Sequence, residues 1–228
     1  MKSEILNTPE SVAQKAAGII AAEARAAVAA RGCFVMAVSG GHTPWLMLRA
    51  LATTDMPWSA VQVAQIDERV APEGHADRNL THIKESLLDR TPLPAENIHP
   101  MPVEVADSET AIAQYAATLQ RVAGSPPVLD LAQLGLGPDG HTASLVPGDP
   151  VLNVANADVA MTARYQGRRR MTLTYPMINR SRRVLWVVTG SEKASILTRF
   201  LKGDESIPAG RICRERALLI SDYAAGQS

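Results

Sequence analysis

Four polar clusters contain the residue types that proton transfer and phosphate binding require, and each cluster follows an apolar run. In chain order they are residues 39–44 (SGGHTP), 67–69 (DER), 137–144 (GPDGHTAS) and 189–193 (TGSEK). If the apolar runs are parallel strands, their carboxyl ends meet at one edge of a sheet, where α/β proteins bind ligands. The four clusters therefore predict one shared site.

The first cluster places Gly40 and Gly41 before a predicted helix that Pro44 opens. Bare backbone N–H groups at such a position can approach an anion, and the helix dipole favours negative charge there. Phosphate is the anion that this loop suits best. The alternative is that the two glycines only shape a tight turn between a strand and a helix.

Lys193 follows Ser191, which is placed to cap the next helix. An ammonium group beside free backbone donors suits phosphate, although a lysine in the first helical turn opposes the helix dipole. A solvated surface lysine is the alternative interpretation. Neither this segment nor the glycine loop matches the Walker pattern, so nucleotide binding is not indicated.

His141 is the most specific candidate for proton transfer. It lies in a loop of Gly, Pro and Asp residues directly after an apolar run, where an imidazole faces substrate rather than a core. An imidazole suits a general base at neutral pH, and Asp139 is close enough in sequence to orient the ring. A structural role for His141 is the alternative. Apart from His42 in the glycine loop, the other histidines are predicted to lie on the surface: His75, His82 and His99.

Other hydrolytic mechanisms find less support. Ser39 and Ser144 accompany Asp139 and His141, but the nucleophile-elbow pattern G-x-S-x-G is absent. Metal catalysis would call for an H-E-x-x-H motif or carboxylates at ligand spacing, and the sequence has neither. We therefore expect no metal and no organic cofactor.

Composition and charge exclude several classes of protein. The 228 residues are 46% hydrophobic and carry no net formal charge, so neither nucleic acid nor a membrane surface is an expected partner. The two cysteines, Cys33 and Cys213, lie outside zinc or disulfide spacing, and no segment resembles a signal peptide or a membrane span. We expect one domain over residues 1–228, located in the cytoplasm, as a monomer or small homo-oligomer.

The elements that must position the clusters alternate along the chain. Apolar runs typical of buried parallel strands are residues 33–38, 61–66, 128–135, 171–175, 184–190 and 217–221. Helices are predicted over residues 9–32, from Pro44, and over residues 76–89, 108–122 and 191–203. The alternation predicts an α/β fold with a mostly parallel sheet and helices on both faces, a Rossmann-like three-layer sandwich. Residues 103–107 and 149–170 give no clear prediction.

The motifs, in this order, resemble those of the 6-phosphogluconolactonases, the lactone-hydrolysing branch of the glucosamine-6-phosphate isomerase/deaminase-like superfamily. SGGHTP is similar to the family's S-G-G-x-T-P, IDERVAP to its D-E-R-x-V-P, and LGLGPDGHTASLVPG to its most distinctive segment. The resemblance continues through residues 168–197 and 207–212 and covers nearly the whole chain.

The resemblance implies roles for individual residues. His141 would activate water as a general base supported by Asp139. Asp67 and Arg69 would line the sugar site, with Arg69 contacting the substrate's charge. Phosphate would be held by Ser39, Gly40, Gly41, Thr43 and Lys193. The chain departs from the family's lysine-containing, proline-rich loop before the R-[IV]-T-L-T strand, and Arg168 would supply the missing charge there.

The implied reaction is hydrolysis of 6-phospho-D-glucono-1,5-lactone to 6-phospho-D-gluconate, the second step of the oxidative pentose phosphate pathway, by a His-activated water without a covalent intermediate. A δ-lactone is an activated ester, so a positioned water, a base and donors for the oxyanion suffice. The deaminase branch carries a glutamate shortly after the histidine, in an N-E-P-G setting, where this chain has residues 144–148 (SLVPG). A sugar-phosphate isomerase/deaminase and a non-catalytic sugar-phosphate sensor are the alternatives.

Overall fold

The computed structural model describes residues 1–226. Within this range the strands are Lys2–Leu6 (β1), Phe34–Val38 (β2), Val61–Gln65 (β3), Asp67–Arg69 (β4), Ile98–His99 (β5), Leu131–Leu134 (β6), Val159–Met161 (β7), Arg170–Leu173 (β8), Val184–Val188 (β9) and Ala217–Asp222 (β10). The helices are Pro9–Arg31 (α1), His42–Ala52 (α2), Asn79–Ser86 (α3), Ser108–Ala123 (α4), Tyr175–Asn179 (α5), Ala194–Leu201 (α6) and Tyr223–Gly226 (α7). None of these helices combines the length and the apolar character that crossing a bilayer requires.

Seven strands form a parallel sheet in the order β1-β10-β9-β6-β2-β3-β5. Side chains of β2 alternate between two hydrophobic cores, with Val35 and Ala37 in one and Met36 and Val38 in the other. Helices α4, α5 and α6 pack on the first core, and α1, α2 and α3 pack on the second. The predicted α/β fold, with helices on both faces of a parallel sheet, is confirmed.

A second sheet, which is antiparallel and has the strand order β4-β8-β7, lies at the carboxyl edge of the first. Ile66 joins the two, because its N–H donates to the Val38 carbonyl and its carbonyl accepts from the Leu173 N–H. Residues 67–69, predicted as a polar loop after the strand at residues 61–66, form strand β4. The strand predicted at residues 171–175 is present as β8, but it pairs antiparallel and lies in the small sheet rather than in the parallel one. These short segments become strands by pairing with each other across long sequence separation.

Local capping signals explain both ends of helix α1. The Thr8 side chain accepts from the Ser11 N–H at the start of α1, and Gly32 ends that helix with a φ of 79°. Helix α3 begins at Asn79, three residues later than predicted. The cause is Glu68, whose carboxylate accepts from the Asn79 and Leu80 N–H groups and caps the helix from a distant strand.

His99 corrects another prediction, because it is buried rather than on the surface. Its side chain is 4% exposed, and Nε2 lies 2.6 Å from Oε1 of Gln62. Burial lowers the pKa of His99, with a smaller contribution from the charge of Arg121. His75 is exposed and His82 is partly exposed. None of the three histidines lines the cavity that holds the polar clusters.

Candidate active site

A cavity of about 540 Å³ lies at the carboxyl edge of the parallel sheet. Its wall is built from the segments that follow β2, β3, β6 and β9, as the four polar clusters predicted. The structure brings eight of the predicted site residues to this wall. They are Ser39, Gly40, Gly41, Thr43, Asp67, Arg69, His141 and Lys193. Asp139 lies behind His141, and Arg168 does not line the cavity.

His141 and Asp139 form a close pair on the loop after β6. Nδ1 of His141 lies 2.6 Å from Oδ1 of Asp139, which also accepts from the His141 backbone N–H at 3.1 Å. The other carboxylate oxygen accepts from the Tyr165 hydroxyl at 3.0 Å. Among residues 1–226, Nε2 of His141 has no protein partner, so this nitrogen is available to a water or a substrate.

The electrostatics of this pair favour an ionised carboxylate. Partial burial of Asp139 acts to raise its pKa, but the charge of His141 and the hydrogen bonds from His141 and Tyr165 outweigh burial and lower the pKa below its ordinary value. Asp139 is therefore an anion at neutral pH. An ionised carboxylate at Nδ1 orients the ring and stabilises an imidazolium.

Gly137 makes room for the His141 ring. A Cβ atom at position 137 would lie 2.1 Å from Nδ1 and 2.2 Å from Cε1 of His141. The Gly137 N–H donates to the His141 carbonyl, and its carbonyl accepts from the Gly140 N–H, so the loop folds tightly around the imidazole. Any side chain at position 137 displaces the ring from Asp139.

The glycine loop supplies a helix N-terminus without a side-chain cap. Gly41 is the N-cap of α2, with a φ of 117° that favours glycine, and no side chain bonds to this end of the helix. The hydroxyls of Thr43 and Thr189 lie 2.6 Å apart and connect this loop to the one after β9. Ser39 has both donors occupied, because its N–H and hydroxyl donate to Gln133. Ser39 therefore fixes the loop rather than donating to a ligand, which corrects its predicted role.

Lys193 also lines the cavity, at the end of a 3₁₀ turn formed by Ser191–Lys193 that leads into α6. Ser191 lies inside this turn and makes no capping hydrogen bond, so its predicted role is wrong. Gly190 precedes the turn, and its N–H donates to the buried carboxylate of Asp222 at 3.1 and 3.2 Å. Within residues 1–226 no carboxylate forms a salt bridge with the Lys193 ammonium, which leaves it available to an anion in the cavity.

Asp67 and Arg69 are held by Asn79, which also lines the cavity. The Asn79 amide donates to Oδ1 of Asp67 at 3.2 Å, and its carbonyl oxygen accepts from Arg69 at 2.6 Å. The Ser144 hydroxyl donates to Oδ2 of Asp67 at 2.6 Å. A Cβ atom on Gly40 would lie 1.8 Å from Asn79, so the glycine loop packs directly on this network.

Arg170, rather than Arg168, adds a positive charge to the cavity wall beside that of Arg69. Arg170 is 4% exposed, lines the cavity and lies opposite Arg69 in the β4–β8 register. Burial lowers the pKa of Arg170, and the charge of Arg69 adds to this effect. Nε of each arginine is buried without a hydrogen-bond partner. Two adjacent guanidinium groups with unused donors make a site for an anion.

Arg168 instead binds the loop before α3. Its Nε donates to the Asp77 carboxylate at 2.5 Å, and Nη2 lies 3.2 Å from Nε2 of His75. The hydrogen bond from Arg168 lowers the pKa of Asp77. The prediction that Arg168 reaches the ligand is therefore corrected to a contact between two loops.

Sequence reasoning also missed Asn79 and Tyr165, and it gave Thr189 no role of its own within the fourth cluster. Asn79 is separated from Asp67 by a loop and carried no motif within the sequence alone. Thr189 stood at the edge of a predicted cluster, and its position directly after a buried strand was a usable signal. Tyr165 lies in the stretch that gave no prediction.

Comparisons with known proteins place the chain among characterised families. A family model described as glucosamine-6-phosphate isomerases/6-phosphogluconolactonase matches residues 7–220. A 6-phosphogluconolactonase of Synechocystis is 37% identical over 85% of this chain and 82% of its own length. One from Nostoc is 33% identical over 98% of this chain and 96% of its own length. The crystal structure of a 6-phosphogluconolactonase from Thermotoga maritima superposes with a TM-score of 0.84 at 26% identity, covering 97% of this chain and 98% of that one.

Proposed function

Because the chain belongs to the glucosamine-6-phosphate isomerase/6-phosphogluconolactonase family, we propose that it hydrolyses 6-phospho-D-glucono-1,5-lactone to 6-phospho-D-gluconate in the oxidative pentose phosphate pathway. The lactonase name is carried by relatives that match 85% and 98% of this chain. One observation supports the proposal most strongly. The His141–Asp139 pair lies beside a cavity whose other walls carry a helix N-terminus, Lys193 and two arginines.

In the proposed mechanism His141 is the general base. With the Nδ1 proton shared with Asp139, Nε2 accepts a proton from a water molecule, and the water oxygen attacks the lactone carbonyl carbon. The tetrahedral intermediate collapses by breaking the bond to the ring oxygen, which takes the proton back from the imidazolium. The product is the open-chain acid, and no covalent enzyme intermediate forms.

Both candidate serine nucleophiles are occupied elsewhere, which supports direct attack by water. Ser144 is fully buried and donates to Asp67, and Ser39 donates to Gln133. Neither hydroxyl contacts His141. His141 is therefore proposed to activate a water molecule at Nε2 rather than a serine hydroxyl.

The proposed phosphate site consists of Gly40, Gly41, Thr43 and Lys193. The helix N-terminus supplies backbone donors, and Lys193 supplies a point charge. The guanidinium groups of Arg69 and Arg170 add positive charge at the same cavity. We propose that Asp67 orients a sugar hydroxyl, since its carboxylate is fixed by Ser144 and Asn79.

The amino-sugar isomerase/deaminase alternative is disfavoured at one position. Residues 142–148 (TASLVPG), which follow His141, contain no carboxylate, and the Ser144 hydroxyl donates to Asp67 rather than lining the cavity. An assay of one preparation for both activities tests the proposal. Lactone hydrolysis above the spontaneous rate is expected, with no ammonia released from glucosamine 6-phosphate. Ammonia release without lactone hydrolysis would contradict the proposal.

Lys193→Ala is expected to raise KM for the lactone by roughly tenfold while changing kcat less. The reason is that a charge-assisted contact to phosphate is made equally in the ground and transition states. Steady-state kinetics on both variants measure this, with Lys202→Ala at the exposed end of α6 as the matched control. An unchanged KM in Lys193→Ala would remove Lys193 from the phosphate site.

We further propose that residues 1–228 form one lactonase domain that works in the cytoplasm without a metal or an organic cofactor, as a monomer or small homo-oligomer. Within residues 1–226 no group of three or more His, Cys, Asp or Glu side chains is arranged to hold a metal ion. Neutral net charge agrees with a small-molecule partner rather than nucleic acid or a membrane. Activity that persists with a chelator present is the expected result.

A further inference from the structure

Tyr165 flanks the turn of the hairpin that connects β7 and β8. Tyr165 and Arg168 exchange two backbone hydrogen bonds, of 2.9 and 3.2 Å, across a tight turn. The central residues, Gln166 and Gly167, have φ values of 51° and 81°, as a type I′ turn requires. The hairpin thus holds the Tyr165 side chain at a fixed point beside the loop after β6.

The Tyr165 hydroxyl completes the hydrogen bonding of Asp139. It donates to Oδ2 at 3.0 Å, while Oδ1 contacts His141, so the two partners fix the plane of the carboxylate from both sides. The tyrosine ring also meets the imidazole edge-on, with centroids 5.7 Å apart and an interplanar angle of 67°. Burial and the neighbouring Asp139 raise the pKa of Tyr165, so the phenol remains a neutral donor at neutral pH.

The same ring supports Arg170. The guanidinium carbon lies 4.9 Å from the ring centroid, and Nη2 donates to Oε1 of Gln166 in the same turn. Arg170 stands opposite the like charge of Arg69, an arrangement that costs free energy unless other groups offset it. A cation–π contact from Tyr165 keeps the guanidinium at the cavity wall before an anion binds.

We propose that Tyr165 is a positioning residue, whose hydroxyl orients the Asp139–His141 pair and whose ring holds Arg170 for the substrate anion. The inference rests on the proposed lactonase function for its kinetic consequences. Tyr165 does not itself line the cavity, so it acts through Asp139, His141 and Arg170, which it contacts. It joins the base and a binding arginine in one rigid unit.

Two variants separate the two roles. Tyr165→Phe removes the hydroxyl and keeps the ring, so kcat is expected to fall roughly 3- to 10-fold with KM within about twofold, as for one lost hydrogen bond. The acid limb of the plot of kcat against pH is also expected to move to higher pH. Without the phenol donor, the Asp139 carboxylate stabilises the His141 imidazolium more strongly. Tyr165→Leu removes both contacts and is expected to raise KM in addition, by roughly 3- to 10-fold.

Tyr175→Phe is the matched control. The Tyr175 hydroxyl donates to the Pro208 carbonyl at 2.9 Å and its ring lies 4.4 Å from the Arg211 guanidinium, but neither residue lines the cavity. This variant is expected to keep the wild-type kcat, KM and pH profile. Unchanged kcat and pH profile in Tyr165→Phe would overturn the hydroxyl's role, and an unchanged KM in Tyr165→Leu would overturn the ring's role.

A measurement without substrate keeps the inference separate from the lactonase function. The ¹⁵N resonances of His141, identified by their loss in His141→Ala, are followed through a pH titration of wild type and Tyr165→Phe. A titration midpoint that moves to higher pH in Tyr165→Phe supports the positioning role even if the enzyme acts on another substrate. Identical midpoints would overturn it whatever the substrate is.

Discussion

His141→Ala is expected to lower kcat for 6-phosphogluconolactone by about 10²- to 10⁴-fold, the range that removal of a positioned general base gives. Among the described residues, two histidines line the cavity, His42 and His141, and only His141 is paired with a carboxylate. KM is expected to change little, since the phosphate contacts proposed for Gly40, Gly41 and Lys193 remain. Rates must be corrected for spontaneous hydrolysis of the lactone.

His82→Ala is the matched control for this loss. His82 is partly exposed on α3 and does not line the cavity, so its replacement is expected to keep kcat near wild type. The thermal midpoints of all three proteins report whether folding is retained. A folded His141→Ala protein with more than half the wild-type kcat would show that another group activates water.

Gly137→Ala is expected to lower kcat by roughly 100-fold without adding or removing any functional group. The new methyl would lie 2.1 Å from Nδ1 of His141, a separation that no relaxed structure tolerates, so the ring must leave Asp139. Misplacing a catalytic group by about 1 Å can cost this much rate. Steady-state kinetics with the lactone measure the effect.

Gly18→Ala provides the comparison for a glycine replacement away from the site. Gly18 lies within α1, and a Cβ atom there meets nothing within 4 Å. Alanine at this helical position is expected to stabilise the fold by roughly 0.5–1 kcal/mol and to leave kcat unchanged. If Gly137→Ala kept kcat within twofold of wild type, the tight packing of the loop around His141 would not matter for catalysis.

The main sheet was predictable because buried parallel strands read as short continuous apolar runs, such as residues 184–188. The edge strand β1 was not predicted. Its residues 2–6 are mostly exposed and pair on one side only, with β10, so the sequence shows no apolar run. In the small sheet the strand at residues 171–175 was predicted, but its antiparallel pairing and its partner β4 were not. Strands β4 and β8 are three and four residues long and form by pairing with each other.

The sequence likewise predicted some residues of the candidate site and not others. Residues on loops that directly follow predicted strands, such as Gly41 and His141, were assigned to one site because strand order fixes where those loops meet. The sequence could not show that Arg170 lines the cavity and Arg168 does not, because this depends on where the turn ends and on the register of β8 against β4. Tyr165 and Asn79 act through tertiary contacts that no sequence spacing encodes.

The central claim is tested most directly by following the disappearance of 6-phosphogluconolactone, generated in situ from glucose 6-phosphate, with the enzyme in the presence of a chelator. The lactone opens spontaneously, so the enzymatic rate is the excess over a protein-free control. The account predicts a rate far above that control, proportional to enzyme concentration and unaffected by the chelator. A rate equal to the control would contradict the lactonase assignment and favour a protein that binds a sugar phosphate without converting it.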